Sequence, residues 1–134
     1  MSGSVNQLSV GTSPLSCLVV DDSAFMRFHL KRLIGSLANI TANEATNGAE
    51  AIAKYQQLRP DFVLMDIVMP GMEGVETVQK ICETDPAARI IMISSVDYTD
   101  KVEEAFAAGA KGFISKPVTV DMLKMTIERV MQTA

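Results

Sequence analysis

The chain has 134 residues, 48% of them hydrophobic, enough to bury one core in a single compact domain. A formal net charge of -4 offers no broad basic surface, which argues against direct nucleic-acid binding. No run approaches the ~20 consecutive apolar residues that cross a bilayer, and no charged-then-apolar leader marks export, so no membrane insertion is expected.

Residues 1–14 are rich in Ser, Gly and Asn with scattered apolar positions and read as a flexible leader before a domain over 15–134. From there short apolar runs alternate with amphipathic stretches, each bounded by Asp, Asn, Gly or Pro. The first run, 16–20, predicts a strand, and Met26, Leu30, Leu33 and Leu37 recur at helical spacing after it. A second strand is predicted over 40–45, followed by a helix begun by Ala49, Ile52 and Ala53. The third strand, 62–65, precedes a helix marked by Val75, Val78 and Ile81. The fourth, 90–93, precedes one marked by Val102, Ala105, Phe106 and Gly109. The fifth, 112–115, leads to a last helix with Leu123, Ile127 and Val130. Near-continuous apolar runs are what a parallel sheet covered on both faces requires. The expected architecture is a doubly wound α/β fold with five strands and five helices. Cys17 and Cys82 lie outside any metal-binding spacing and read as reduced, structural thiols in a cytoplasmic protein.

In such sheets ligands bind beyond the carboxyl ends of the strands. Asp21 and Asp22 follow the first strand, Asp66 the third, Ser94 ends the fourth and Lys116 with Pro117 follows the fifth. Carboxylates brought together repel unless a cation neutralises them, and a hard divalent ion such as Mg²⁺ takes oxygen ligands and keeps several waters. Asp22 and Asp66 are candidate direct ligands, Asp21 a partner for a metal-bound water and the carbonyl of Val68 a backbone ligand. Asp22, just before a helical run, has helix capping as its alternative reading. Asp66, between a buried strand and the Pro70–Gly71 turn, suits a carboxylate nucleophile that accepts a phosphoryl group. Lys116 would neutralise the charge on that group, and Ser94 would donate its hydroxyl to it.

The Val-Val-Asp21-Asp22-Ser23 start, the Leu-Met-Asp66-Ile-Val-Met-Pro70-Gly-Met-Glu-Gly74 segment, Ser94-Ser95 and the Gly109-Ala-Lys-Gly-Phe113-Ile-Ser-Lys116-Pro117 run together resemble the response-regulator receiver family of two-component signalling. The resemblance implies a flavodoxin-like sheet of order 2-1-3-4-5, with Asp66 as phosphoacceptor and Asp21 and Asp22 as the acidic pair. It further implies Ser94 as switch hydroxyl, Lys116 as phosphate-binding lysine, a cis bond before Pro117 and Phe113 at the position of an aromatic switch. The partners it implies are a sensor histidine kinase and a downstream target protein. The target is expected on the face formed by helix four, strand five and helix five. Asp22-Ser-Ala-Phe-Met-Arg27 is similar to chemotaxis-type regulators, and the end of the chain after the last helix suggests a stand-alone regulator. Val68 and Val96 are apolar where many members are polar, and neither can orient a hydrolytic water, so a long-lived acyl phosphate is expected.

Other readings compete. A phosphorelay intermediate or the receiver piece of a longer regulator shares every motif. An Asp-nucleophile phosphatase needs an acid two residues beyond the nucleophile, where Val68 stands. A flavin-binding protein needs a phosphate loop after the first strand, where Asp21 and Asp22 would repel it. The chemistry expected of the chain is thus Mg²⁺-dependent phosphorylation of itself and its reversal, without turnover of a substrate.

Overall fold

The computed structural model describes residues 14–37, 39–67, 74–95 and 99–132. The elements run β1 (Leu15–Val20), α1 (Ala24–Gly35), β2 (Ile40–Ala45), α2 (Gly48–Leu58), β3 (Phe62–Asp66), α3 (Gly74–Thr84), β4 (Ile90–Ser94), α4 (Thr99–Ala108), β5 (Gly112–Ser115) and α5 (Val120–Met131). The strands form one parallel sheet of order β2-β1-β3-β4-β5. Fold class, strand order and strand positions agree with the sequence-based expectation. Three strands are longer than expected, by Leu15 at the start of β1 and by Asp66 and Ser94 at the ends of β3 and β4. Both added ends are polar residues that pair in the sheet while lying at the site, so an apolar pattern stops short of them.

Alternation along the strands divides the core in two. Leu18, Val20, Val63 and Met65 face one side, where α2, α3 and α4 supply residues such as Tyr55, Ile81 and Ala105. Cys17, Val19, Phe62 and Leu64 face the other, against Leu30 and Ile34 of α1 and Leu123 and Ile127 of α5. Burial pushes the Cys17 thiol up to about 12, so it stays protonated and acts as a small apolar side chain.

Two helix faces differ from the expected ones. In α2 the buried positions are Gly48, Ala51 and Tyr55, while Ala49 and Ala53 are exposed. Alanine contrasts little with water-facing residues, and Tyr55 buries its ring while its hydroxyl donates to Asp85 Oδ2 at 2.6 Å. In α4 Phe106 is exposed, whereas Val102 and Ala105 are buried. Gly109 lies just past that helix with φ +125°, and a Cβ there would come 2.6 Å from Cys82 Sγ. It ends α4 rather than extending its apolar face.

The Asp85 carboxyl is held below its usual value, first by the Tyr55 hydroxyl and then, against some desolvation, by the Ala87 N–H and Arg59. A lowered folded-state pKa gives stability that is complete above the unfolded value of about 3.9 and is lost as pH falls through the folded value. Tyr55→Phe is therefore expected to lower stability by about 1 kcal/mol at pH 7. The difference from wild type should narrow below about pH 4 in urea melts run across the acid range.

Candidate functional site

Register brings the polar strand ends to one edge. Val20 pairs with Met65, so Asp21 lies level with Asp66, and Asp66 pairs with Ile93, one step before Ser94. Ser94 pairs with Ser115, and Lys116 comes next. Two backbone bonds close this edge, from Ile67 N–H to the Ile93 carbonyl at 3.1 Å and from Lys116 N–H to the Ser94 carbonyl at 2.9 Å. Because the order runs β2-β1-β3, the winding reverses between β1 and β3, and the crevice opens between Asp21 and Asp66.

Asp21, Asp22 and Asp66 each offer a carboxylate oxygen, and these oxygens lie within 4.8 Å of one another. Asp21 is 1% exposed. Its Oδ1 accepts from Ser23 N–H at 2.9 Å, while its Oδ2 is buried without a hydrogen-bond partner among the described residues. Burial raises the Asp21 pKa, the Ser23 N–H opposes that, and nearby Asp66 adds to it. A buried carboxylate oxygen left without a donor costs free energy. A cation would supply what the protein leaves out, and the donor set of three carboxylates suits a hard divalent ion such as Mg²⁺.

Asp22 is exposed and does not cap α1. Ser23 does, its hydroxyl accepting from Met26 N–H at 3.2 Å, which leaves the Asp22 carboxylate to the cluster. Lys116 Nζ stands 3.9 Å from Asp66 Oδ1, and the Lys116–Pro117 bond is cis. Ser94 is buried beside this group, but its hydroxyl donates to the Ser95 carbonyl at 3.0 Å. Phe113 is half-buried and packs on the α2–α4 side of the core. Val68, Val96 and the Pro70–Gly71 turn lie outside the described residues.

A model of the response regulator receiver domain matches residues 17–128. The chain belongs to the response regulator receiver family. Chemotaxis protein CheY of Thermotoga maritima is 50% identical over 100 residues, covering 75% of this chain and 83% of that one. Chemotaxis protein CheY of Bacillus subtilis is 42% identical over 112 residues, covering 84% and 93%. Among solved structures, Vibrio cholerae chemotaxis protein CheY4 superimposes with a TM-score of 0.81 at 31% identity over 88% of this chain and 99% of that chain. The receiver is thus closely related to single-domain response regulators.

Sequence reasoning quoted Gly74 only as part of a motif, without a role. Its N–H donates to the Ile67 carbonyl at 3.0 Å, which sets the start of α3 directly on the backbone after Asp66. A Cβ at Gly74 would lie 2.8 Å from the Asp66 carbonyl oxygen and from two Ile67 backbone atoms, none of which can swing aside. Gly74→Ala is expected to destabilise the receiver by about 1–3 kcal/mol in chemical denaturation. Gly35→Ala, where nothing lies within 4 Å of the new Cβ, is expected to be neutral or stabilising by up to about 1 kcal/mol.

Proposed function

We propose that this receiver is a chemotaxis-type response regulator. It takes a phosphoryl group from a sensor histidine kinase onto Asp66 and signals by binding a target protein when phosphorylated. The observation that carries the reading is the Asp66 carboxylate set among the Asp21 and Asp22 carboxylates with the Lys116 ammonium 3.9 Å away. The names and lengths of the matched chemotaxis relatives support the biological assignment.

Asp21, Asp22 and Asp66 would hold Mg²⁺, joined by the carbonyl of Val68. When bound, the ion supplies charge that offsets the oxygens of an incoming phosphoryl group. The chain's own chemistry starts with an Asp66 carboxylate oxygen attacking phosphorus in line with the departing histidine nitrogen. A bond from oxygen to phosphorus forms as the bond from phosphorus to nitrogen breaks. Lys116 then pairs with a phosphoryl oxygen rather than with the Asp66 carboxylate alone. Ser94 exchanges its bond to the Ser95 carbonyl for one to the phosphoryl group. The space its hydroxyl leaves lets Phe113 turn inward and alters the surface of α4, β5 and α5, where the target docks. Loss of the phosphate by hydrolysis reverses the switch, and the long-lived acyl phosphate expected from Val68 and Val96 belongs to this reading. The receiver unit spans 15–134 after a leader over 1–14. Cytoplasmic placement follows from the kinase partner, and among the described residues no helix is long and apolar enough to cross a membrane.

Intact-mass analysis with a small-molecule phosphodonor and Mg²⁺ tests the assignment. Wild type is expected to gain one base-labile phosphoryl group, to gain none when Mg²⁺ is chelated before the donor is added, and Asp66→Asn to gain none. Equal uptake by Asp66→Asn would remove Asp66 as the acceptor.

A further inference from the structure

Three groups of Asp21, the first residue of the acidic pair, are held by hydrogen bonds. Asp21 N–H donates to the Ala45 carbonyl at 3.1 Å, and Asp21 Oδ1 accepts from Ser23 N–H at 2.9 Å. The Asp21 carbonyl accepts from Arg27 Nη1 at 2.8 Å. That guanidinium is itself fixed, since Arg27 Nε donates to Glu44 Oε1 at 2.8 Å and the side chain is only 14% exposed. Glu44 in turn takes Lys31 Nζ at 2.9 Å on its other oxygen. An arginine one turn into α1 thereby clamps the peptide that links Asp21 to Asp22, using an acidic residue on the neighbouring strand β2 as its anchor.

We propose that Arg27 is a positioning residue for the cation site, holding the Asp21–Asp22 peptide in the plane from which both carboxylates reach the ion. The inference rests on the cation reading given above. The sequence marks Arg27 only as the end of the Asp22–Arg27 run and gives it no role, and its guanidinium bonds to Glu44 and to the Asp21 carbonyl, so the influence proposed for it runs through the backbone. Geometry and charge predict opposite signs here. A guanidinium near a cation site repels the cation, so deleting it for its charge alone would tighten binding. Deleting a clamp lets the peptide rotate, disperses the two carboxylates and weakens binding. Partners that orient metal ligands from outside are worth about 10- to 100-fold in affinity, and an edge site completed by water belongs at the low end of that range.

Titrating the whole chain with Mg²⁺ and following backbone amide shifts by NMR reads the affinity without any phosphoryl donor. Arg27→Met is expected to bind about tenfold more weakly than wild type. Lys31→Met removes the same charge from the other oxygen of Glu44 and is expected to bind as wild type does or more tightly. Arg27→Lys keeps a donor long enough to reach the carbonyl and is expected to recover most of the loss. Thermal melts confirm that each variant is folded, and Arg27→Gln, too short to reach the carbonyl, replaces Arg27→Met if that variant melts below the titration temperature. Unchanged or tighter binding by Arg27→Met, or equal weakening in Lys31→Met, overturns the positioning role. Wild-type amides that fail to shift around Asp21, Asp22 and Asp66 overturn the cation reading itself, a result distinct from the others.

Discussion

Three carboxylates whose oxygens lie within 4.8 Å of one another repel strongly, by roughly 3 kcal/mol per ionised pair at an effective dielectric near 20. A domain of this size folds with only about 5–15 kcal/mol to spare, so the acidic edge is a real load on the fold. The rest of the molecule is arranged around it. The buried strands of two apolar layers bring the Asp-bearing backbone to one edge. The load is eased locally by the Ser23 N–H on Asp21 Oδ1 and by the rise in the Asp21 pKa that burial and Asp66 impose. Lys116, 3.9 Å from Asp66 Oδ1, eases it further, and a divalent cation would do so more strongly.

Topology explains why those residues meet. A parallel sheet whose winding reverses between β1 and β3 opens a crevice at their carboxyl ends. Asp21 and Asp66 flank it at the same level of the register. β4 and β5 then set Ser94 and Lys116 one step further along, tied by the bond from Lys116 N–H to the Ser94 carbonyl. Packing closes the arrangement from behind. Gly74 lets α3 begin in contact with the backbone of Asp66 and Ile67.

Much of this was legible because the strands are buried on both faces. Runs such as Leu18–Val20 or Ile90–Ile93 have no polar break, and the Asp, Ser and Lys residues that end them stand out by contrast. Helix faces were less legible. Ala49 and Ala53 carry too little hydrophobic weight to mark a face, and Tyr55 is buried through a hydroxyl bond that residue type alone does not reveal. Phe106 reverses the expectation, being large, apolar and exposed. The capping role considered for Asp22 falls to Ser23, since both precede the helix and only geometry separates them. Arg27 was legible only as part of the Asp22–Arg27 run, not in its contacts, because a bond to a backbone carbonyl leaves no residue type to mark it and its Glu44 partner lies 17 residues away.

The charges at the edge also bear on why phosphoryl chemistry there would require a metal. Lys116 is the cation that the described structure places against Asp66, at 3.9 Å and with a third of its side chain exposed, a geometry worth no more than about 1 kcal/mol. Arg27 lies close by but is committed to Glu44 and to a carbonyl. Among the described residues, three carboxylates counted as ionised and one ammonium sum formally to two negative charges. A phosphoryl group is itself an anion and is repelled by such an edge. A divalent ion would bring that formal balance to zero, so that the Asp66 oxygen, in its proposed role as acceptor, would meet phosphorus without a net opposing field. The proposed role of Lys116 would gain from the same change, because a carboxylate shared with a metal would hold an ammonium less tightly and leave it to turn to a phosphoryl oxygen. The weak ion pair is therefore suited to the site: a tighter one would keep the lysine on the acceptor and away from the group it is proposed to bind.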